Sequence, residues 1–209
     1  MIKVLGRATS GNVQKVLFGL EEIGIDYTRE DYGRQFNNTQ TPDYKALNPN
    51  SKVPTLVEGD VVIWESNSIL RYLAATRSKA LSGSTPAETS EVERWMDWLL
   101  ASINALYLTM FKDSKKPAEE RVSDYDAQAK ELAALLGLAD AHLAGREFFA
   151  LGRLTLADIA LAPILKRCLA FPIALPELAN LKAWMGRIEA RPAFKAATAE
   201  KAAKPASAA

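Results

Sequence analysis

Residues 51–73 read SKVPTLVEGDVVIWESNSILRYL, and this stretch decides the fold of the first part of the chain. Two apolar runs flank a short turn formed by Gly59 and Asp60, and this pattern predicts a β-hairpin over residues 55–64. From Ser66 onwards, apolar residues recur at the spacing of one helix face. The stretch therefore predicts two antiparallel strands that lead directly into a helix.

The residues before this stretch predict a strand–helix–strand unit. Residues 2–5 are short and apolar, apolar residues at helical spacing follow over residues 13–23, and residues 25–31 resume as a strand. Such a unit implies a parallel strand pair with a right-handed crossover. The polar residues 32–52 predict a loop that contains one short helix near residues 43–47.

The rest of the chain predicts a second, helical domain. We assign residues 1–77 to a first domain of βαβ-ββα order, the small and polar residues 78–88 to a linker, and residues 89–209 to an all-α domain. Only helical periods appear in the last of these ranges. The Ala- and Lys-rich stretch from Lys195 shows no apolar face, so we expect about the last 12 residues to be disordered.

The composition excludes several classes of function. The 209 residues include 26 basic and 25 acidic side chains, so no basic surface for nucleic acid is expected. One cysteine, Cys168, and one histidine, His142, argue against a disulfide framework, a His-rich metal site and a Ser–His–Asp triad. No apolar run is long enough for a signal peptide or a membrane span. We therefore expect a cytoplasmic protein with neither a metal ion nor a membrane partner.

Three segments of the first domain are candidate sites, and each also has a simpler interpretation. Ser10 lies where free helix N–H groups favour an anion, or it is an ordinary N-cap. A cis bond before Pro54 would turn the Val53 backbone towards an extended peptide, whereas a trans bond would only open an edge strand. Glu65 and Ser66 could grip the ammonium and carboxylate of an α-amino acid, or they cap a helix.

The order and spacing of these segments closely resemble the glutathione S-transferase family. The residues concerned are Ser-Gly-Asn at 10–12, Lys-Val-Pro-Thr-Leu-Val at 52–57 and Trp-Glu-Ser-Asn-Ser-Ile-Leu-Arg-Tyr-Leu at 64–73. The resemblance covers about residues 1–195 and is most specific over residues 51–73. It implies an α+β, thioredoxin-like first domain, an all-α second domain and a cis proline before the third strand.

The resemblance also implies contacts with glutathione, the co-substrate of the family. Glu65 and Ser66 match the acid–serine pair that binds the γ-glutamyl end. Val53, which precedes Pro54, matches the residue whose backbone N–H and C=O pair with the cysteinyl unit. The Glu65–Ser66 segment and the Val53 segment would then contact successive units of one tripeptide.

The glycyl end of glutathione is assigned to Lys52, with Thr39 as a weaker candidate. Ser10 resembles the catalytic serine of theta- and delta-like transferases and their bacterial relatives, and Thr9 and Asn12 remain alternatives. A free thiol is mostly protonated at neutral pH, and the thiolate is the nucleophile. We expect Ser10 to donate a hydrogen bond to the sulfur and so to stabilise the thiolate.

The resemblance implies a glutathione transferase whose thiolate attacks a small hydrophobic electrophile. Leu99, Tyr107 and Phe111 are the candidate lining residues of the electrophile pocket. The resemblance further implies a homodimer and a role in detoxification. Other glutathione-dependent chemistry, namely dehalogenation, isomerisation or peroxide reduction, is one alternative. A non-catalytic member of the fold with a binding or regulatory role is another.

Overall fold

The computed structural model describes residues 1–199, which form two compact units. The first unit comprises Met1–Ser82 together with residues 189–199, and the second unit comprises Gly83–Ile188. This division differs from the domains assigned above because residues 189–199 return to the first unit. Residues from 200 onwards, which make up most of the segment expected to be disordered, lie outside the described residues.

The first unit contains a four-stranded mixed sheet, and its elements follow the predicted β-α-β, loop, β-β, α order. They are β1 (Ile2–Leu5), α1 (Gly11–Ile23), β2 (Tyr27–Glu30), α2 (Pro42–Leu47), β3 (Thr55–Glu58), β4 (Val61–Trp64) and α3 (Ser66–Arg77). The strand order is β2-β1-β3-β4. The β1–β2 pair is parallel, and the β1–β3 and β3–β4 pairs are antiparallel.

The register of the strands brings several loops to one end of the sheet. Leu5, the last residue of β1, pairs with Glu30 of β2 and with Thr55, the first residue of β3. Thr55 in turn pairs with Trp64, the last residue of β4. The loop after β1, the turn before β3 and the start of α3 therefore leave the sheet at this aligned end, which gathers the three candidate segments.

The second unit is helical, as the sequence predicted. Its helices are α4 (Pro86–Trp98), α5 (Asn104–Asp113), α6 (Tyr125–His142), α7 (Leu156–Cys168) and α8 (Ala179–Ala190), the last of which extends just past the unit's boundary. A π-helical stretch, Leu99–Ile103, joins α4 to α5. Thr85 caps α4 by accepting the Glu88 N–H at 3.2 Å. The predicted linker, residues 78–88, therefore already contains the start of a helix.

The start of α7 is built around a buried carboxylate. Asp158 Oδ2 accepts the N–H of Thr155 at 3.0 Å and its hydroxyl at 3.1 Å. Asp158 Oδ1 accepts the Phe149 N–H at 3.0 Å and the Trp184 Nε1–H at 2.9 Å. Burial raises the pKa of Asp158 to about 6, and the hydrogen bonds oppose this shift. Asp158 thus fastens α7 to the preceding loop and to α8.

A short final helix, α9 (Pro192–Thr198), packs on α1 within the first unit. The rings of Phe194 and Phe18 meet edge to face, with their centroids 5.1 Å apart. Phe194 and Ala197 are buried, so helical order extends beyond Lys195, where the sequence predicted no apolar face. Only these two side chains of α9 are buried, and two positions are too few to show a helical period.

Candidate active site

The loop after β1 and the turn before β3 touch each other at the aligned end of the sheet. A Cβ added to Gly6 would lie 2.5 Å from Val13 Cγ2 and 3.3 Å from Val53 Cβ. A Cβ on Gly33 would lie 3.4 Å from Val53 Cγ1. Residues without side chains therefore let Val53 approach the loop that leads into α1.

Ser10 is the buried N-cap of α1. Its Oγ accepts the Val13 N–H over a long 3.5 Å. Because the hydroxyl is the acceptor in this bond, its own proton stays available for a ligand. The first turn of α1 carries no acidic residue, so the helix N-terminus keeps its positive potential. Ser10 is thus both the predicted cap and a possible hydrogen-bond donor.

The two alternatives to Ser10 sit in different surroundings. Thr9 is exposed and precedes the cap, whereas Asn12 is half-buried in the first helical turn. Of these three residues, Ser10 is the buried one, and its side chain faces the first N–H groups of α1. The geometry therefore favours Ser10 as the residue nearest to an anion bound at this helix start.

The peptide bond between Val53 and Pro54 is cis, as the resemblance implied. Within residues 1–199, the backbone N–H and C=O of Val53 form no hydrogen bond with the chain. The preceding carbonyl, that of Lys52, accepts the Tyr44 hydroxyl at 2.6 Å and Asn48 Nδ2 at 2.8 Å. The sequence analysis missed these two partners because they fall in a stretch interpreted mainly as a polar loop.

Glu65 and Ser66 form the start of α3 at the same end of the sheet. Glu65 has a φ of 69°, which is rare for a residue other than glycine. Its exposed carboxylate makes no capping bond to α3 and accepts Asn50 Nδ2 at 3.3 Å. Ser66 is buried as the first residue of the helix. An acid and a helix start without a side-chain cap therefore stand side by side.

Lys15 is a charged residue near the site that the sequence analysis did not single out. Its side chain, on α1, is only 1% exposed. Burial lowers the pKa of Lys15 to about 7, and the nearby negative charge of Glu65 acts in the opposite direction. The helical period of α1 could not reveal this burial, because Lys15 is charged and does not belong to the apolar stripe of the helix.

The two candidates for the glycyl end are held differently. Lys52 is exposed, and its ammonium makes no ion pair within the described residues. Thr39 is half-buried at the end of a loop that Asn38 fastens. Asn38 Oδ1 accepts the Gly33 N–H at 3.0 Å, and its Nδ2 donates to the Asp31 carbonyl at 3.0 Å. Within residues 1–199, no hydrogen bond joins the side chains of Lys52 and Thr39.

The candidate electrophile residues lie in the second unit. Tyr107 and Phe111 are ring neighbours, with centroids 5.9 Å apart. Arg167 Nη1 donates to the Tyr107 hydroxyl at 3.1 Å. Phe111 is half-buried, whereas Leu99 is 1% exposed within the π-helical stretch. Tyr107 and Phe111 thus form an aromatic pair with a polar edge, and Leu99 belongs to the unit's interior.

Two family models match the chain over most of its length. The N-terminal domain of glutathione S-transferases matches residues 9–76, and their C-terminal domain matches residues 101–192. The chain belongs to the glutathione S-transferase family. The matched ranges fall on the sheet-containing part and on the helical part, so the predicted family, its two-part fold and its enzyme class, glutathione S-transferase, are confirmed.

Individual relatives agree with this assignment. Glutathione S-transferase GstB of Escherichia coli K12 is 38% identical over 200 residues, which cover 93% of this chain and 96% of that protein. Glutathione S-transferase 3 of Zea mays is 30% identical and covers 93% of this chain and 91% of its own length. The theta class glutathione S-transferase of Xanthomonas axonopodis pv. citri, solved with glutathione bound, has a TM-score of 0.88 and 39% identity, with 96% and 99% of the two chains covered.

Residues 1–199 contain a single thiol, that of Cys168, and it is unsuited to act as a nucleophile. Cys168 is fully buried, and burial raises the pKa of its thiol to about 12. In the same residues, no group of three or more His, Cys, Asp or Glu side chains could hold a metal ion. No described helix has the length and apolar character needed to cross a membrane.

Proposed function

We propose that glutathione binds along the aligned end of the sheet and that its thiolate attacks a small hydrophobic electrophile there. The observation that carries the proposal is the contact of the Ser10 loop with Val53 at Gly6. The turn that contains Val53 also reaches the start of α3, because Asn50 donates to Glu65. One tripeptide could then touch all three segments.

The γ-glutamyl end would occupy the start of α3. The exposed Glu65 carboxylate suits an ammonium group, and the N–H and hydroxyl of Ser66 suit a carboxylate. The cysteinyl unit would pair with the backbone of Val53, which Pro54 follows in the cis form. Pairing of this kind uses main-chain hydrogen bonds, as in strand addition.

The glycyl carboxylate would lie near the exposed ammonium of Lys52, with Thr39 as a second possible contact. Opposite charges at the two ends of the ligand, Glu65 for the ammonium and Lys52 for the terminal carboxylate, would fix its direction along the sheet. The near-neutral net charge of +1 agrees with a ligand held by a few local charges.

Ser10 would activate the thiol as a hydrogen-bond donor. Its hydroxyl accepts the Val13 N–H and can direct its proton towards sulfur. The positive N-terminus of α1 would further favour the thiolate over the thiol. Since Cys168 is buried, the reacting sulfur would come from glutathione. In this mechanism Ser10 is neither a nucleophile nor a base.

The electrophile would contact the aromatic pair Tyr107 and Phe111. Leu99, the third candidate from the sequence, is 1% exposed and lies in the interior of the second unit, so we do not include it. Aromatic side chains offer a large apolar surface, which suits a small hydrophobic substrate. We further propose that the enzyme works as a cytoplasmic homodimer in detoxification.

Ser10→Ala tests the proposed mechanism. A hydrogen bond to a charged group contributes about 1.5–3 kcal/mol, and one pKa unit corresponds to about 1.4 kcal/mol. We expect the pKa of bound glutathione to rise by about 1–2 units and turnover at neutral pH to fall about tenfold or more. Glutathione affinity should change little. Thiolate absorbance and the pH–rate profile with an activated aryl halide measure these effects.

Thr9→Val and Asn12→Ala are the matched variants for this test. If the pH–rate profile shifts in one of them and not in Ser10→Ala, the donor role belongs to that residue. An unchanged profile in Ser10→Ala removes Ser10 from the mechanism. A wild-type protein that is not retained on immobilised glutathione would support the non-catalytic alternative.

A further inference from the structure

A buried polar cluster lies directly behind the Val53 turn. It consists of the side chains of Tyr44, Asn48 and Thr55 and the backbone carbonyl of Lys52. The three side chains are 2%, 1% and 0% exposed, respectively. Burial of polar groups is costly unless they are hydrogen-bonded, so a cluster of this kind calls for a complete set of donors and acceptors.

The hydrogen bonds of the cluster can be assigned without conflict. Asn48 Nδ2 has two protons, which it donates to the Lys52 carbonyl at 2.8 Å and to Thr55 Oγ1 at 3.0 Å. The Thr55 hydroxyl can then donate to the Tyr44 oxygen at 3.0 Å, and Tyr44 donates to the Lys52 carbonyl at 2.6 Å. Burial also raises the pKa of Tyr44, which keeps its hydroxyl protonated. The network therefore ends on one acceptor, the Lys52 carbonyl.

Two side chains hold this carbonyl, and they come from one short segment. Tyr44 lies on α2, and Asn48 follows one helical turn later at the end of that helix. Asn48 also binds the turn itself, because its Oδ1 accepts the Asn50 N–H at 3.0 Å and its carbonyl accepts the Ser51 N–H at 3.0 Å. We call the side chains of Tyr44 and Asn48 the carbonyl clamp.

The direction of the Lys52 carbonyl decides the direction of the next N–H. The peptide bond between Lys52 and Val53 is trans, since the one cis bond of the described chain is Val53–Pro54. In a planar trans peptide, the C=O and the N–H point in opposite directions. Because the clamp draws the Lys52 carbonyl into the buried cluster, it turns the Val53 N–H away from that cluster.

We propose that Tyr44 and Asn48 are positioning residues that aim the Val53 N–H at the backbone of the bound peptide. The proposal rests on the proposed function, in which the Val53 backbone pairs with the cysteinyl unit of glutathione. Neither clamp residue needs to touch the ligand. Without the clamp, the 52–53 peptide plane can rotate, and the ligand must then hold a donor that is no longer pre-oriented.

The clamp should affect binding more than the chemical step. The Val53 N–H contacts the ligand backbone equally in the ground state and the transition state, so its loss raises KM and leaves kcat nearly unchanged. A single neutral hydrogen bond corresponds to about a fivefold change in affinity. Because both residues act through this one donor, we expect Tyr44→Phe/Asn48→Ala to weaken glutathione binding about fivefold. Tyr44→Phe, which leaves Asn48 on the carbonyl, should weaken it less, and kcat should change less than about twofold in both variants.

The decisive comparison uses two ligands, glutathione and γ-glutamyl methylamide. The second ligand keeps the γ-glutamyl group but lacks the cysteinyl unit. Titrations followed by amide NMR should show weaker glutathione binding and a smaller Val53 amide shift in Tyr44→Phe, with unchanged binding of γ-glutamyl methylamide. Tyr72→Phe is the matched control, because it removes a tyrosine hydroxyl bonded to Glu58 at 2.7 Å, at the opposite end of β3.

Each failure points to a different error. Equal loss of both ligands in Tyr44→Phe, or an equal loss in Tyr72→Phe, would show a general structural effect and overturn the clamp proposal. Wild-type binding of glutathione with unchanged binding in the variants would overturn the clamp proposal alone. A wild-type protein that does not bind glutathione would overturn the proposed function and this inference with it. If the double variant does not fold, Tyr44→Phe alone carries the test.

Discussion

Helices α7 and α3 both begin with a hydroxyl residue and a carboxylate, but the chain treats the two starts in opposite ways. At α7, Asp158 is buried and accepts four hydrogen bonds, two of them from Thr155. At α3, the Glu65 carboxylate is exposed, makes no capping bond and stands on a backbone with a φ of 69°. The first start is saturated by the protein itself, and the second is left open.

The burial of the carboxylate and the number of its hydrogen bonds distinguish a helix start that stabilises the fold from one that can bind a ligand. A saturated acid stabilises the fold because its partners would otherwise be buried without hydrogen bonds. An exposed acid that makes no capping bond and is held in an unfavourable backbone conformation contributes little to the fold and is available to a ligand. Sequence motifs for the two starts look alike, so burial and partner count are what distinguish them.

Asp158→Ala should give the largest effect. The substitution leaves the Phe149 N–H, the Trp184 Nε1–H and the Thr155 donors without their acceptor, so we expect the free energy of unfolding to fall by about 3–5 kcal/mol. Urea denaturation measures this loss. Asp126→Ala, which removes an exposed acid from the first turn of α6, is the control. Equal effects in both variants would contradict the comparison.

The pH dependence of stability offers a second test of the buried acid. The pKa of Asp158 is about 6 in the folded protein and near 3.8 in the unfolded chain, so the folded state holds the proton more tightly. Its contribution is therefore complete below about pH 4 and is lost as the pH rises through about 6. The stability difference between wild type and Asp158→Asn should be about 2 kcal/mol larger at about pH 4 than at about pH 7. A difference that grows with pH would contradict this assignment.

At α3 the expected stability effect is smaller and has a distinctive sign. Glycine adopts a positive φ without steric cost, so Glu65→Gly should be more stable than Glu65→Ala by about 1 kcal/mol. Both variants lose the carboxylate and should bind glutathione equally weakly. At Ser68, an exposed position inside the same helix, the order should reverse, with Gly less stable than Ala. Thermal unfolding decides; the same order at both positions would refute the strain at Glu65.

A thiol-specific reagent should label almost none of the native protein. Cys168, the last residue of α7, is fully buried with a thiol pKa of about 12, so an aromatic disulfide reagent should react only after denaturation. Conjugation activity should survive the same treatment. Rapid labelling of the native chain would show that the interior around α7 opens readily. The hydrogen bonds of Asp158 would then not keep this helix packed.

Features that depend on neighbouring residues in the sequence were predictable. The hairpin of residues 55–64, the Ser10 cap and the Thr155–Asp158 capping box each rest on residue types within a few positions of one another. The alignment of the candidate segments at one end of the sheet was not among these, because it depends on the strand order β2-β1-β3-β4 and on the antiparallel pairing of β1 with β3. Residue types at neighbouring positions were therefore sufficient to predict the hairpin and the two helix caps.

Features that depend on distant partners were not predictable. The burial of Lys15 depends on how other parts of the fold pack against α1, and the clamp role of Tyr44 requires the turn at Lys52 to fold back onto α2. The positive φ of Glu65 carries no signal, because glutamate has no preference for that conformation. In each case the residue's role is set by tertiary contacts.

The packing of α9 on α1 has a consequence for how the first unit is made. Phe194 packs on Phe18, and Arg191 binds Glu22 at 2.8 Å, so the core around α1 combines residues from the first helix with residues that follow it by about 170 positions. During synthesis, residues 1–82 emerge before α9, so the core around α1 is complete only after α9 has been made. An exchange of the first 82 residues between relatives would separate Phe18 from Phe194. We therefore expect a chimera that exchanges residues 1–82 alone to be less stable than one that exchanges α9 together with these residues.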